Sequence, residues 1–153
     1  MTIYLARHGK AGNRGDWDGP DDLRPLSKGG RRQAEKLVEQ LADAPVDRIV
    51  TSPYVRCRQS VEPLAEQRRL PVDLADELAE GAPLADALLL IGKVAHEHAV
   101  LCTHGDVAGD LLRHLERKGI PLGAVVKLEK GSTWVLEVDG GDIVSGRYLA
   151  PPA

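Results

Sequence analysis

The sequence predicts an α/β fold, a three-layer α/β/α sandwich built on a mainly parallel sheet. Short apolar runs rich in β-forming residues alternate with amphipathic helical patterns as far as residue 117, an order typical of parallel sheets with helices on both faces. Beyond that point the helical patterns stop, and glycine-containing turns separate apolar runs. This second pattern predicts antiparallel edge strands at the C-terminus. The length of 153 residues favours one domain covering residues 1–153.

The strands are predicted from short apolar runs bounded by polar, glycine or proline residues. The first three such runs are followed directly by polar residues, and the last three lie close together near the C-terminus. Residues 10–25 are polar and rich in Gly, Asp and Pro, so they are predicted to form a long loop. The predicted strands cover residues 2–6, 48–51, 99–103, 124–129, 132–138 and 143–149.

The helices are predicted from apolar residues spaced three and four apart, with start and stop signals at their ends. Ser27 is a typical N-cap, and Ser52-Pro53 is typical of an N-cap followed by a first helical residue. Pro63 should kink the second helix. The predicted helices run from Ser27 to Pro45, from Ser52 to Arg69, from Pro83 to Ala95 and from Gly105 to Arg117.

The composition excludes several classes of protein. No apolar run reaches the roughly 18 residues that a membrane span needs, and the first residues do not resemble a signal peptide, so we expect no membrane partner. Two cysteines make no disulfide framework, which favours a cytoplasmic location. The net charge of −3 gives no electrostatic reason to expect nucleic acid as a partner. No Phe is present, so the core is expected to be aliphatic.

Cationic and imidazole side chains follow three predicted strands. Arg7 and His8 come directly after the first strand, Arg56 lies one helical turn after the second, and His104 follows the third. Taken singly, each could be a surface charge or a helix cap. Because the carboxyl ends of parallel strands meet at one edge of a sheet, we expect the four to converge there. In an acidic protein, this pattern indicates a small anion pocket.

Such a set of residue types fits phosphoryl transfer. Guanidinium groups bind the equatorial oxygens of a phosphoryl group in paired hydrogen bonds. A neutral imidazole is a good nucleophile towards phosphorus near pH 7 when its other nitrogen donates to a fixed acceptor. The leaving group then needs a proton from a nearby carboxylic acid.

Four motifs occur in a fixed order: LARHG at residues 5–9, RPLSKGG with QA at residues 24–34, TSPYVRCRQS at residues 51–60 and CTHG at residues 102–105. This series resembles the histidine phosphatase superfamily, which has the phosphoglycerate-mutase-like fold, and in particular its small SixA-like branch. The likeness covers residues 1–115 best. The segment KGSTWVL at residues 130–136 is similar to the phosphatase-like domain of MutT-type Nudix fusion proteins.

The resemblance implies a role for each matching residue. His8 would be the nucleophile that becomes phosphohistidine. Arg7, Arg56 and His104 would hold the phosphoryl oxygens, with His104 protonated in the complex. Gly9 belongs to the same motif as the nucleophile and is a candidate for substrate binding. The chemistry implied needs neither a metal nor an organic cofactor.

The sequence leaves open which glutamate is the proton donor and whether two further cations bind the substrate. Members of the family carry a Glu between the second and third helices, and Glu80 and Glu77 both fit. We prefer Glu80, because Leu-Ala-Glu at residues 78–80 resembles the pattern of the Nudix-fused relatives. Lys10 and Arg14 lie in the loop after the nucleophile, where they would widen the anion site or stand as plain surface charges.

Chain length decides between hydrolysis and mutase chemistry. A mutase covers its phosphorylated intermediate, but here only 23 residues separate Arg56 from Glu80, and 23 separate Glu80 from His104. With little chain for a lid, water should reach the intermediate. We therefore expect a phosphatase whose substrate is a phosphorylated small molecule, such as a nucleotide or sugar phosphate, or a phosphohistidine protein. No exposed apolar stripe is evident, so a monomer is expected.

Two other interpretations compete with this one. The first is a metallohydrolase, in which His96, His98, His104 and Asp106 would hold a metal. Its weakness is that the five intervening strand residues span about 17 Å, too far for one ion. The second is a phosphate-binding module without turnover, against which the complete set of candidate residues argues.

Overall fold

The computed structural model describes all 153 residues, which form one six-stranded sheet with helices on both faces. The strands are β1 (Thr2–Arg7), β2 (Arg48–Thr51), β3 (Val72–Leu74), β4 (Ala99–Thr103), β5 (Thr133–Asp139) and β6 (Asp142–Leu149). The helices are α1 (Lys28–Gln40), α2 (Val55–Arg68), α3 (Leu84–Val94) and α4 (Gly105–Arg117). None of the helices combines the length and the apolar character needed to cross a membrane.

The sheet has the order β3-β2-β4-β1-β5-β6. The pairs β2–β3, β2–β4 and β1–β4 are parallel, and β5 and β6 pair antiparallel at one edge. The predicted fold class and its antiparallel C-terminal edge are therefore confirmed. Since β4 lies between β1 and β2, the carboxyl ends of the three strands are neighbours.

Alternating residues of the central strands pack against opposite helical layers. On one face, Tyr4 of β1 belongs to a cluster with Leu37 of α1 and Leu64 of α2. On the other face, Ile3 of the same strand belongs to a cluster with Leu111 of α4 and the third helix. This period of two buries both faces of the sheet and makes the three-layer sandwich.

Residues 124–129, predicted to be a strand, form an irregular loop, so that prediction is wrong. The alternation of apolar and polar residues is typical of a strand, but side chains take up the carbonyl groups that a ladder would use. The indole Nε1 of Trp134 donates to the carbonyl of Lys127 at 2.8 Å, and Arg7 Nη1 donates to that of Leu128 at 2.6 Å. The loop is thereby fastened beside the end of β1.

Helix α2 begins later than the sequence predicts. Its N-cap is Tyr54 and its first residue is Val55, although Ser52-Pro53 was predicted to start it. The amide of Ser52 instead donates to the carbonyl of Cys102 at 2.9 Å, which extends the pairing of β2 with β4. Ser52 is therefore not the cap of α2, and its hydroxyl oxygen lies 2.9 Å from His104 Nε2. Pro63 lies inside α2, which continues to Arg68.

Candidate active site

One open cleft lies at the carboxyl ends of the central strands. Its volume is about 480 Å³, and no hydrophobic residue lines it. The lining residues are Arg7, His8, Arg14, Arg24, Arg56, Glu80, His104, Gly105, Asp106 and Lys130. The four residues expected to converge thus share one cleft, and the rings of His8 and His104 lie 5.3 Å apart between centroids.

His8 is buried at the base of the cleft, with one ring nitrogen engaged and the other free. Nδ1 lies 2.8 Å from the carbonyl oxygen of Gly9, which can only accept, so Nδ1 carries the proton and donates. Burial lowers the pKa of His8 to about 3, and the nearby charges of Arg56 and Arg7 act in the same direction. At neutral pH the ring is therefore uncharged, with the Nε2 lone pair available.

The ring of His104 is held by a hydrogen bond with the hydroxyl group of Ser52. Its Nε2 lies 2.9 Å from Ser52 Oγ, and that oxygen accepts a hydrogen bond from the Tyr54 amide at 3.2 Å. Because the amide supplies one hydrogen to Oγ, the hydroxyl hydrogen is free to point at Nε2. This assignment leaves the proton of the neutral His104 ring on Nδ1, which is buried and has no hydrogen-bond partner.

The two arginines are anchored by their terminal nitrogens. Arg7 donates from Nη1 to the Leu128 carbonyl. Arg56, only 1 % exposed, donates from Nη1 to the Asp21 carbonyl at 2.8 Å and from Nη2 to the Asp21 carboxylate at 3.1 Å. In both side chains Nε is buried and has no partner.

Three buried N–H groups therefore stand unpaired on residues that line one cleft: Arg7 Nε, Arg56 Nε and His104 Nδ1. A buried donor left unpaired costs about 1–3 kcal/mol, and such groups in a native protein are typically completed by a ligand or an ion. A tetrahedral oxyanion offers several acceptor oxygens at once. The arrangement is therefore suited to bind a phosphoryl group against His8.

The two candidate proton donors lie in different surroundings. Glu80 lines the cleft, with Oε1 3.2 Å from Arg14 Nη2 and 3.4 Å from Arg56 Nη2. Its neighbour Gly81 is held by a 2.8 Å hydrogen bond from its amide to Asp106 Oδ2. Glu77 does not line the cleft, and its nearest cation is Lys93 on the surface, 3.9 Å away.

The remaining predicted residues also divide into one that lines the cleft and two that do not. Arg14 lines the cleft, whereas Gly9 and Lys10 do not. Gly9 lies behind His8, where a Cβ atom would come within 3.0 Å of Gln33 Oε1. The Lys10 amide donates to the same oxygen at 2.8 Å. Gly9 thus fits closely against Gln33, and its carbonyl oxygen accepts the hydrogen bond from His8. Lys10 does not line the cleft.

An acidic side chain at the edge of the cleft was missed by the sequence analysis. Asp21 contacts Arg24 Nε at 3.0 Å, Arg56 Nη2 at 3.1 Å and Arg14 Nε at 3.5 Å. Burial acts to raise the pKa of Asp21, but the three guanidinium groups outweigh it and lower the pKa. Asp21 therefore stays ionised and holds the three guanidinium groups next to one another.

Two cations of the cleft, Arg24 and Lys130, were also not predicted as site residues, although both fall in segments that carry the resemblance. Arg24 additionally donates to the Gly12 carbonyl. A role for either residue was not evident from the motifs, because a motif gives no direction for a side chain.

The histidines of the metallohydrolase interpretation do not come together. His96 and His98 precede β4, whereas His104 follows it. His96 is exposed and pairs with Glu97, which in turn pairs with Arg48. His96 and His98 therefore lie at the opposite end of β4 from His104, as the sequence predicts.

Comparison with known proteins gives consistent results. Residues 3–82 match the model of the histidine phosphatase superfamily, branch 1. Over 99 % of its length the chain is 35 % identical to the 8-oxo-(d)GTP phosphatase of Mycolicibacterium smegmatis, but it covers 48 % of that protein. The chain thus spans about half the length of this relative.

Solved structures share the fold at low sequence identity. The protein histidine phosphatase SixA complexed with tungstate superposes with a TM-score of 0.77 and 18 % identity, covering 97 % of this chain and 94 % of that one. A mycobacterial glucosyl-3-phosphoglycerate phosphatase complexed with VO3 gives a TM-score of 0.74 and 19 % identity, with 96 % of each chain covered. The SixA-like fold implied by the sequence motifs is confirmed. On the family match and this fold, the chain belongs to the histidine phosphatase superfamily.

Proposed function

We propose that this protein is a phosphatase that hydrolyses phosphate monoesters or phosphoramidates through a phosphohistidine intermediate on His8. The observation that carries the proposal is the position of the three unpaired N–H groups of Arg7, Arg56 and His104 around a neutral imidazole with a free Nε2. The donors would bind the phosphoryl oxygens. They would also stabilise the negative charge that develops on those oxygens in the transition state.

In the first step, the Nε2 lone pair of His8 attacks phosphorus, and the bond from phosphorus to the leaving oxygen or nitrogen breaks. The leaving group takes its proton from the Glu80 carboxyl group, which lines the cleft. In the second step, water attacks phosphorus and gives a proton to the Glu80 carboxylate. The P–N bond then breaks, which restores neutral His8 and releases phosphate. No metal or organic cofactor takes part in this scheme.

The substrate class follows from the lining of the cleft. Its side chains are polar or charged and the cleft is open, so recognition would centre on the phosphoryl group and leave a bulky remainder outside. These features favour a phosphohistidine protein as one substrate. A nucleotide is a second candidate, supported by the likeness to the 8-oxo-(d)GTP phosphatase across the whole of this chain.

The test is to trap the intermediate. Protein is mixed with ³²P-labelled phenyl phosphate in EDTA and quenched in base, where phosphohistidine survives. We expect labelled protein from the wild type, none from His8→Ala, and unchanged label from His96→Ala, whose exposed ring lies near the other end of β4. Phosphate binding without label or turnover would support the non-catalytic module instead. Label retained by His8→Ala would refute the proposal.

A further inference from the structure

Lys130 occupies a turn that is fastened to the strand carrying the nucleophile. Its own carbonyl accepts from Gln33 Nε2 at 3.2 Å. The amide of the next residue, Gly131, donates to the carbonyls of His8 at 2.9 Å and Arg7 at 3.2 Å. Gly131 has a φ of +85°, and a Cβ there would lie 2.7 Å from Gln33 Nε2. The backbone of Lys130 is thus fixed beside His8.

The ammonium group of Lys130 is the one cationic group in the cleft wall without a partner. Arg14, Arg24 and Arg56 each pair with Asp21, and Arg7 donates to a carbonyl. Lys130 lines the same cleft but makes no side-chain hydrogen bond or ion pair. In the proposed reaction the phosphoryl group engages Arg7, Arg56 and His104, which leaves the charge of Lys130 unused.

We infer that Lys130 binds a second anionic group of the substrate, next to the phosphoryl group that His8 attacks. This inference rests on the proposed function and narrows its substrate class to compounds with two neighbouring anionic groups, such as diphosphates. A lysine suits this role because its compact charge lies on a flexible stem and can meet oxygens in several positions. Arg14, Arg24 and Arg56 are already paired with Asp21, so their guanidinium groups lack that freedom.

The test compares two non-hydrolysable probes, methylphosphonate and methylenediphosphonate, by titration calorimetry. We expect Lys130→Met to weaken binding of the diphosphonate about tenfold, since a charge-assisted hydrogen bond is lost. Binding of the monophosphonate should weaken roughly threefold at most, because only long-range attraction is lost. Lys130→Arg should restore most of the diphosphonate affinity.

Lys127→Met is the matched control, because Lys127 lies in the same loop, is exposed and does not line the cleft. It should leave both affinities unchanged, and melting curves should show that all variants are folded. Equal losses for both probes in Lys130→Met, no loss for either, or no wild-type preference for the diphosphonate would overturn the inference. The trapping experiment on His8 is independent of these outcomes, so failure here leaves the proposed function standing.

Discussion

The uncharged state of His8 has a cost that depends on pH. Its pKa is about 3 in the folded protein and about 6.5 in an unfolded chain. Between these values the unfolded state binds the extra proton, so the stability of the fold falls as the pH decreases through 6.5. From this difference, acidification to about pH 5 should remove about 2 kcal/mol of unfolding free energy through His8 alone.

Denaturant unfolding of the wild type and His8→Gln at pH 7 and pH 5 measures this contribution. Gln does not titrate, so the variant should lose about 2 kcal/mol less than the wild type over the same interval. Equal losses would mean that the imidazole is not held neutral by burial. The same pKa predicts that protonation of His8 does not limit hydrolysis above about pH 4.

The surroundings of Glu80 and Glu77 predict opposite effects of the same substitution. Glu80→Gln removes the carboxylic acid in the cleft, and general acid catalysis typically contributes about 10²–10⁴-fold. The rate with phenyl phosphate should therefore fall by at least about a hundredfold. The rate at which 2,4-dinitrophenyl phosphate phosphorylates His8, measured in the first turnover, should fall much less, because that leaving group needs no proton.

Glu77→Gln is the control for this pair, since Glu77 makes only a 3.9 Å surface contact with Lys93. Both substrates should be hydrolysed at the wild-type rate. A large loss of rate in Glu77→Gln would show that the donor has been assigned wrongly. Equal losses for the two substrates in the rate of His8 phosphorylation in Glu80→Gln would show the same.

The sequence could predict a site residue where that residue lies close to the end of a strand. Arg7 is the last residue of β1, and His8 and His104 directly follow β1 and β4, so the direction of the chain alone brought them to one edge. Asp21 lies in a long loop, and its contact with Arg56 spans 35 residues of sequence. Nothing local determines such a contact, because it depends on how the loop crosses the finished sheet.

At the level of the elements, the start of α4 limits the space available to Arg7. A Cβ on Gly105 would lie 2.8 Å from the guanidinium carbon and from Nη2 of Arg7. Gly105→Ala should therefore displace Arg7 and lower kcat/KM for phenyl phosphate by roughly tenfold or more, as loss of an oxyanion donor does. Stability should not fall in proportion, because Ala is the better helix residue.

Gly109→Ala in the same helix is the comparison, because its Cβ would meet only the end of the Arg113 side chain at 3.4 Å. This variant should keep wild-type kcat/KM and be slightly more stable. Activity preserved in Gly105→Ala would show that Arg7 has room to move or is not needed.

One predicted strand does not form and one observed strand, β3, was not predicted, each for a physical reason. Residues 124–129 have the alternation of a strand, but Arg7 and Trp134 engage carbonyl groups of that segment from other parts of the chain. Strand β3 has three residues, Val72–Leu74, too few to give a periodic pattern. Apolar periodicity placed α1, α3 and α4, and the start signal at Ser52-Pro53 placed α2. Tertiary hydrogen bonds decided the structure of residues 124–129.

At the scale of the whole molecule, no segment covers the cleft. The loop between β3 and α3 carries Glu80, and it adds only one short 3-10 turn to the fold. The phosphohistidine should therefore meet bulk water freely. With phenyl phosphate in the presence of molar glycerol, we expect inorganic phosphate as the main product and glycerol phosphate as a minor one. Glycerol phosphate as the dominant product would indicate a site that binds an acceptor alcohol and excludes water.

The hydrogen bonds that continue the sheet past its strand ends have a consequence for dynamics. The amides of His8, Ser52 and Gly131 donate to the carbonyls of Thr103, Cys102 and His8. These positions at the ends of the strands therefore share the cooperative unit of the sheet. Their amide protons should exchange with deuterium only when the entire domain opens, at the same free energy as Leu101 in the middle of β4. Loss of activity and loss of far-UV ellipticity on heating should then coincide, because the strand ends at the cleft do not unfold before the rest of the sheet.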